Sequence, residues 1–138
     1  MRRGAKLRAA ILLGLASTIF ATGAQAEWLK FFTMVGGSVY FVDPDRIKFV
    51  DGKYHVWIKG DHSRDRGERA RTTMMMVSIN CNASSMRMLS VTSYDSYGKV
   101  IQSQNQPDYD SGYEPITPDT MVDTLAAPLC SKNAEPEQ

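Results

Sequence analysis

One stretch limits the possible folds more than any other: residues 72–101, TTMMMVSINCNASSMRMLSVTSYDSYGKVI. Its side chains alternate with the period of two that a half-buried strand requires, and turn chemistry interrupts the alternation twice. Met75, Val77, Ile79 and Cys81 fall on one face, and Met74, Met76, Ser78 and Asn80 on the other. Asn82-Ala83-Ser84-Ser85 turns the chain, residues 86–94 return it, and Gly98, suited to a left-handed backbone, closes a second hairpin before residues 100–103. The spacing predicts three successive antiparallel strands. The first ends on Cys81, and the only other cysteine is Cys130, 49 positions downstream.

The redox state of those cysteines depends on compartment. Arg2, Arg3, Lys6 and Arg8 precede an apolar run over residues 9–21, and Ala24-Gln25-Ala26 supplies a small-x-small cleavage pattern. Residues 1–26 are therefore expected to be a signal peptide, because the apolar run is shorter than the roughly 20 residues a spanning helix needs. Glu27 follows the cut, so no lipid attachment is implied. The expectation is export through the secretory pathway to the periplasm, with the cell surface as an alternative, and no stable membrane insertion after cleavage.

Loss of the leader removes four of 16 cationic side chains against 15 acids, so the net charge moves from +1 to −3. That balance provides no global field for nucleic acid, and any electrostatic recognition must rest on a local patch. In an oxidising compartment, two cysteines this far apart are most economically read as one disulfide, since a reactive thiol pair would be close in sequence. On the chain-entropy account, closing such a loop stabilises the fold by about 4 kcal/mol.

Upstream, residues 28–35 and 38–42 are rich in aromatic and β-preferring types and are separated by Gly36-Gly37. Asp43-Pro44-Asp45 is a turn. Residues 46–50 and 53–59 alternate around Asp51-Gly52, a strong hairpin signal. Ile47 and Phe49 would share one face; on the partner strand Tyr54, Val56 and Ile58 share one face, and His55 and Trp57 the other. The sheet thus carries aromatic surface on both sides, so its second face must be covered or left open.

Residues 60–71, GDHSRDRGERAR, lack apolar periodicity and read as a long solvated connection. Arg64, Arg66, Arg69 and Arg71 make it a candidate cationic tip for an acidic partner; Asp61, Asp65 and Glu68 equally allow a neutralised hairpin end. Residues 104–114, with Pro107, Asp108 and Asp110, should form a polar surface loop. A helix is then expected with Thr117 as N-cap, Pro118 first and Asp119 in the first turn. Met121, Val122, Leu125 and Leu129 form its apolar stripe, Pro128 ends it, and Cys130 sits just past it. Residues 132–138 read as a disordered tail.

No catalytic set is legible, and the chain is expected not to be an enzyme. The serines lack a nucleophile-elbow context, no glycine-rich phosphate loop is present, and the carboxylates lie in turns. His55 and His62 lack a second ligand at metal spacing, so a sheet-facing His55 and a surface His62 are expected, with no metal site and no cofactor. Met74, Met75, Met76, Met86 and Met88 concentrate on two adjacent strands; they support an alternative reading as a periplasmic small-ligand or Cu(I)-binding protein. Methionine also fills irregular cores.

Several motifs, in order, carry a family resemblance. They are Trp28, Val42-Asp43, Val56-Trp57, Ile79-Asn80-Cys81, Tyr94-Asp95 with Gly98-Lys99-Val100, and Pro115-Ile116-Thr117-Pro118-Asp119-Thr120 leading to Leu129-Cys130. Together they resemble the surface-adhesin protein E family of Gram-negative bacteria over residues 27–131. The resemblance implies an α+β fold: an antiparallel sheet of about six strands, with a C-terminal helix packed on one face and tied by a disulfide. It also implies adhesion, with a host extracellular matrix protein or an envelope protein as partner. An exposed sheet edge or the arginine-bearing loop would make the contact. A homodimer through a free strand edge is a further expectation.

Overall fold

The structure is a computed structural model that describes residues 27–107 and 112–132. The expected signal peptide, the end of the C-terminal tail, and Asp108 and Asp110 lie outside the described residues. Eight strands form one antiparallel sheet: β1 (Leu29–Thr33), β2 (Val39–Val42), β3 (Lys48–Val50), β4 (Lys53–Asp61), β5 (Thr72–Asn80), β6 (Ser85–Tyr94), β7 (Val100–Asn105) and β8 (Glu114–Pro115). One helix, α1 (Met121–Ser131), follows. The spine runs β1-β2-β4-β5-β6-β7; β3 adds to β4 and the two-residue β8 adds to β6, so the sheet has slightly more strands than the about six that the resemblance implied.

Strands β2 and β3 are one path broken in two. Val39–Val42 pairs with residues 58–61 of β4, and Lys48–Val50 pairs with residues 53–55 of the same strand. Between them Asp43 caps a 3-10 turn, Pro44–Arg46, by accepting from the Asp45 amide at 3.1 Å. Proline has no amide proton for a ladder, so pairing lapses there. At the other end of β3, Asp51 and Gly52 both take positive φ, 48° and 77°, the geometry of the expected tight hairpin.

Alternation on the two longest strands decides the core. Val56 and Ile58 from β4 and Met75, Val77 and Ile79 from β5 are buried together with Leu125 and Ala126 of α1. Phe31, Tyr40, Val42, Met86, Val91 and Leu129 pack around this cluster. In β6 the register slips opposite Met76 and Val77, and the extra residue is Leu89, which is buried. Such a bulge bends the strand and increases its twist.

Cys81 and Cys130 are joined, with 5.4 Å between their Cα atoms, so the end of α1 is fastened to the end of β5. Two expectations about the helix are corrected. Its N-cap is Thr120, not Thr117, because Asp119 takes a left-handed φ of 61° and breaks the backbone there. Thr120 Oγ1 accepts from the Asp123 amide while Asp123 Oδ2 accepts from the amide of Asp119, one residue before the cap, and the two bonds together fix the start. Pro128 lies inside the helix and does not end it, and Cys130 lies in the last turn. A proline normally stops a helix. Here the disulfide, and Leu129 against the core, hold the turn beyond it.

Candidate functional site

Residues 62–71 leave β4 and enter β5 at one end of the sheet. They do not simply hang in solvent. His62, expected at the surface, is 6% exposed. The loop folds back because its polar groups find partners on the sheet: Nδ1 of His62 lies 2.8 Å from Ser38 Oγ, and Nε2 lies 3.0 Å from Thr73 Oγ1. Tyr40 meets the imidazole edge-on at 5.9 Å between ring centres. Space for the ring comes from Gly60, where a Cβ would stand 2.9 Å from His62 Nε2 and 3.1 Å from the Tyr40 ring. A run without apolar periodicity gave no sign of this burial; the nearest signal was Gly60 itself, in a strand where glycine marks close approach.

A continuous polar chain results. Ser38 Oγ donates to Asp65 Oδ2 at 2.8 Å, so with the imidazole neutral its lone pair accepts from His62 Nδ1–H. Nε2 then accepts from Thr73, whose hydroxyl oxygen lies 3.3 Å from Ser93 Oγ. Every buried member has a partner, the condition under which such a network orders its surroundings. The order of groups is unsuited to nucleophilic catalysis. Ser38 gives its proton to the carboxylate, not to the imidazole, and is 2% exposed.

The acids and the arginines of the loop differ in their partners. Asp65 also accepts from the Gly67 amide at 3.0 Å, and Asp61 Oδ1 accepts from the Ser63 amide at 2.8 Å. Glu68 Oε1 accepts from the amides of Arg69 and Ala70. All three acids are thus engaged by the loop backbone. Hydrogen bonds from Ser63, with Arg71 and His62 nearby, hold the Asp61 carboxyl below the ordinary carboxylate range. Burial, then the charges of Glu68 and Asp65, push the Tyr40 hydroxyl above its ordinary value.

Arg64, Arg66, Arg69 and Arg71, like Glu68, are all exposed. Among the described residues none of them makes an ion pair; the Arg71 guanidinium reaches only the Ser63 carbonyl, at 3.2 Å. A groove beside the loop joins it to a second feature. Glu68, Arg69 and Ala70 line it together with Ser93 of β6 and Ile101 and Gln102 of β7, with a volume of about 210 Å³. Strand β7 is one of the two sheet edges, β1 being the other: all six β7 residues are exposed, and among the described residues it pairs with β6 alone. It carries no charge and no proline, the devices that usually discourage added strands.

The methionines are not gathered. Met75 and Met86 pack in or on the core, while alternation puts Met74 and Met76 on the opposite face. Among the described residues no group of three or more His, Cys, Asp or Glu side chains could hold a metal ion, and no helix is long and apolar enough to cross a membrane.

The family model for surface-adhesin protein E matches residues 28–131, nearly the whole described chain. The chain belongs to the surface-adhesin protein E family. Solved structures of Haemophilus influenzae protein E share the family's fold with it. One is 16% identical with a TM-score of 0.52, covering 85% of this chain and 93% of its own. A second crystal form gives 16% identity and a TM-score of 0.53, with coverage of 83% and 94%. The protein from a non-typeable strain is 17% identical at a TM-score of 0.50, with 82% of each chain covered. No curated protein sequence matches this chain significantly. At such identities the likeness establishes the fold, and the arginine loop must be judged on its own geometry.

Proposed function

We propose that the protein is a non-catalytic binding module of the bacterial envelope that captures an acidic segment of another protein. The segment is a strand laid along β7, with its carboxylates toward the adjoining loop. The observation that carries this reading is the difference in partners within residues 62–71: Asp65 and Glu68 are engaged by hydrogen bonds from Ser38 and the loop amides, while four exposed guanidiniums make no ion pair among the described residues. Backbone pairing along a free edge gives affinity without demanding sequence, and arginines on one side select acidic partners. The partner class is a host extracellular matrix protein or another envelope protein. Export after removal of residues 1–26, to the periplasm or the cell surface, belongs to the same proposal; protease shaving of intact cells separates the two locations.

Replacing Arg64, Arg66, Arg69 and Arg71 together by Ser tests the site. Capture of immobilised matrix or envelope proteins should weaken roughly tenfold, about 1.4 kcal/mol, and lose most of its salt dependence. The melting temperature should be unchanged, because the guanidiniums support little structure. Undiminished capture would place the site elsewhere.

A further inference from the structure

The helix covers one face of the sheet, and the opposite face has its own organisation. Residues directly opposite one another in an antiparallel ladder share a face. One row across this second face is therefore Phe41, Lys59, Met74 and Thr92; the next is Trp57, Met76 and Ser90; a third is Lys48, His55, Ser78 and Arg87. All the charged members are cations. Tyr113 covers the third row at Ser78, donating to its hydroxyl at 2.7 Å. Beside it lies an open cleft of about 270 Å³ lined by Arg46, Lys48, His55, Trp57 and Met76.

The break between β2 and β3 opens that cleft, since no strand pairs with Trp57 on that side of β4. The same 3-10 turn delivers Arg46. Its Nε lies 3.0 Å from Oδ2 of Asp43, which is wholly buried, while the Arg46 side chain remains 56% exposed. Asp43 thus anchors the guanidinium from behind and leaves its outer edge to a ligand. The neighbouring rings are taken: the Lys59 ammonium stands 4.9 Å from the centre of Trp28 and 5.1 Å from that of Phe41. Among the described residues Trp57 carries no such cation, so its half-buried indole is a bare platform with Met76 beside it.

We propose that this cleft binds an acidic sugar ring, a carboxylated or sulfated unit of a polysaccharide. The volume suits one or two rings. The C–H face of a pyranose is apolar and stacks on an indole, while Arg46 and Lys48 meet the anionic substituent. The platform is one-sided and open, which suits a unit within a longer glycan; a planar base would gain most from a slot closed on both sides. This site is separate from the arginine loop and does not rest on it.

The test is calorimetry and tryptophan fluorescence on the disulfide-bonded protein with heparin hexasaccharide and oligogalacturonate. Neutral dextran oligosaccharide, adenosine monophosphate and poly-glutamate serve as comparisons. Saturable binding of the acidic sugars, weakened at least tenfold by Trp57→Ala and by Lys48→Ser, nearly retained in Trp57→Phe and unchanged in Trp28→Phe, is expected. Trp57→Phe keeps a ring on the sheet, so its retention separates lost recognition from lost folding. The proposal is overturned by absent binding, by equal binding of poly-glutamate or the nucleotide, or by binding that survives Trp57→Ala but disappears when the four loop arginines are replaced.

Discussion

At the scale of single residues, Ser38 is the joint between the sheet and the arginine loop. Its hydroxyl serves Asp65 and His62 at once, both at 2.8 Å. Ser38→Ala leaves the buried His62 Nδ1 and the part-buried Asp65 Oδ2 short of a partner, and should cost about 2 kcal/mol in denaturant unfolding. Amide exchange should quicken selectively over residues 62–71; a uniform change across the sheet would deny the loop-specific role. Asp61 gives a pH signature. Its folded-state pKa is depressed, so it contributes stability above the ordinary carboxylate value, and that contribution is lost as pH falls through the folded value. Asp61→Asn should therefore flatten the acid limb of the stability curve below about pH 4, where the wild-type protein steepens. None of this was legible in residues 60–71 alone, because the placement of His62 and Asp65 follows from contacts with Ser38, 24 and 27 residues upstream.

At the scale of elements, strands were legible wherever one face is buried. The alternation of β4 and β5 and the Asp51-Gly52 turn translate directly into the observed ladders. The helix was legible in its apolar stripe, and Leu125 is buried as that stripe requires. Its ends were less so, because two competing caps lie three residues apart and the left-handed backbone at Asp119 decides between them. The last turn persists beyond Pro128 through its covalent tie. Cys81→Ser with Cys130→Ser should accordingly lower stability by about 4 kcal/mol. The loss should show in melting curves, with faster exchange over residues 129–131 than in β5. Equal melting temperatures with and without reductant would contradict that role for the bond.

At the scale of the whole molecule, a family fold carries two surfaces of different chemistry. One end of the sheet offers a charged loop beside an uncharged, unpaired edge; the face away from α1 offers an indole platform rimmed by cations. The core beneath both is small, built on Val56, Ile58, Met75, Val77 and Ile79 against one helix, and the disulfide supplements it. The same free edge could instead pair two copies of this chain, and the mass of the purified protein in solution distinguishes that occupant from a foreign strand. The central claim is that partner proteins are held at the loop and the adjoining edge. Hydrogen exchange of the protein alone and saturated with a captured matrix or envelope protein tests it most directly. Protection concentrated in residues 62–71 and in Val100–Asn105 is predicted. Unchanged exchange there, with protection appearing along α1 or another part of the sheet, would contradict it.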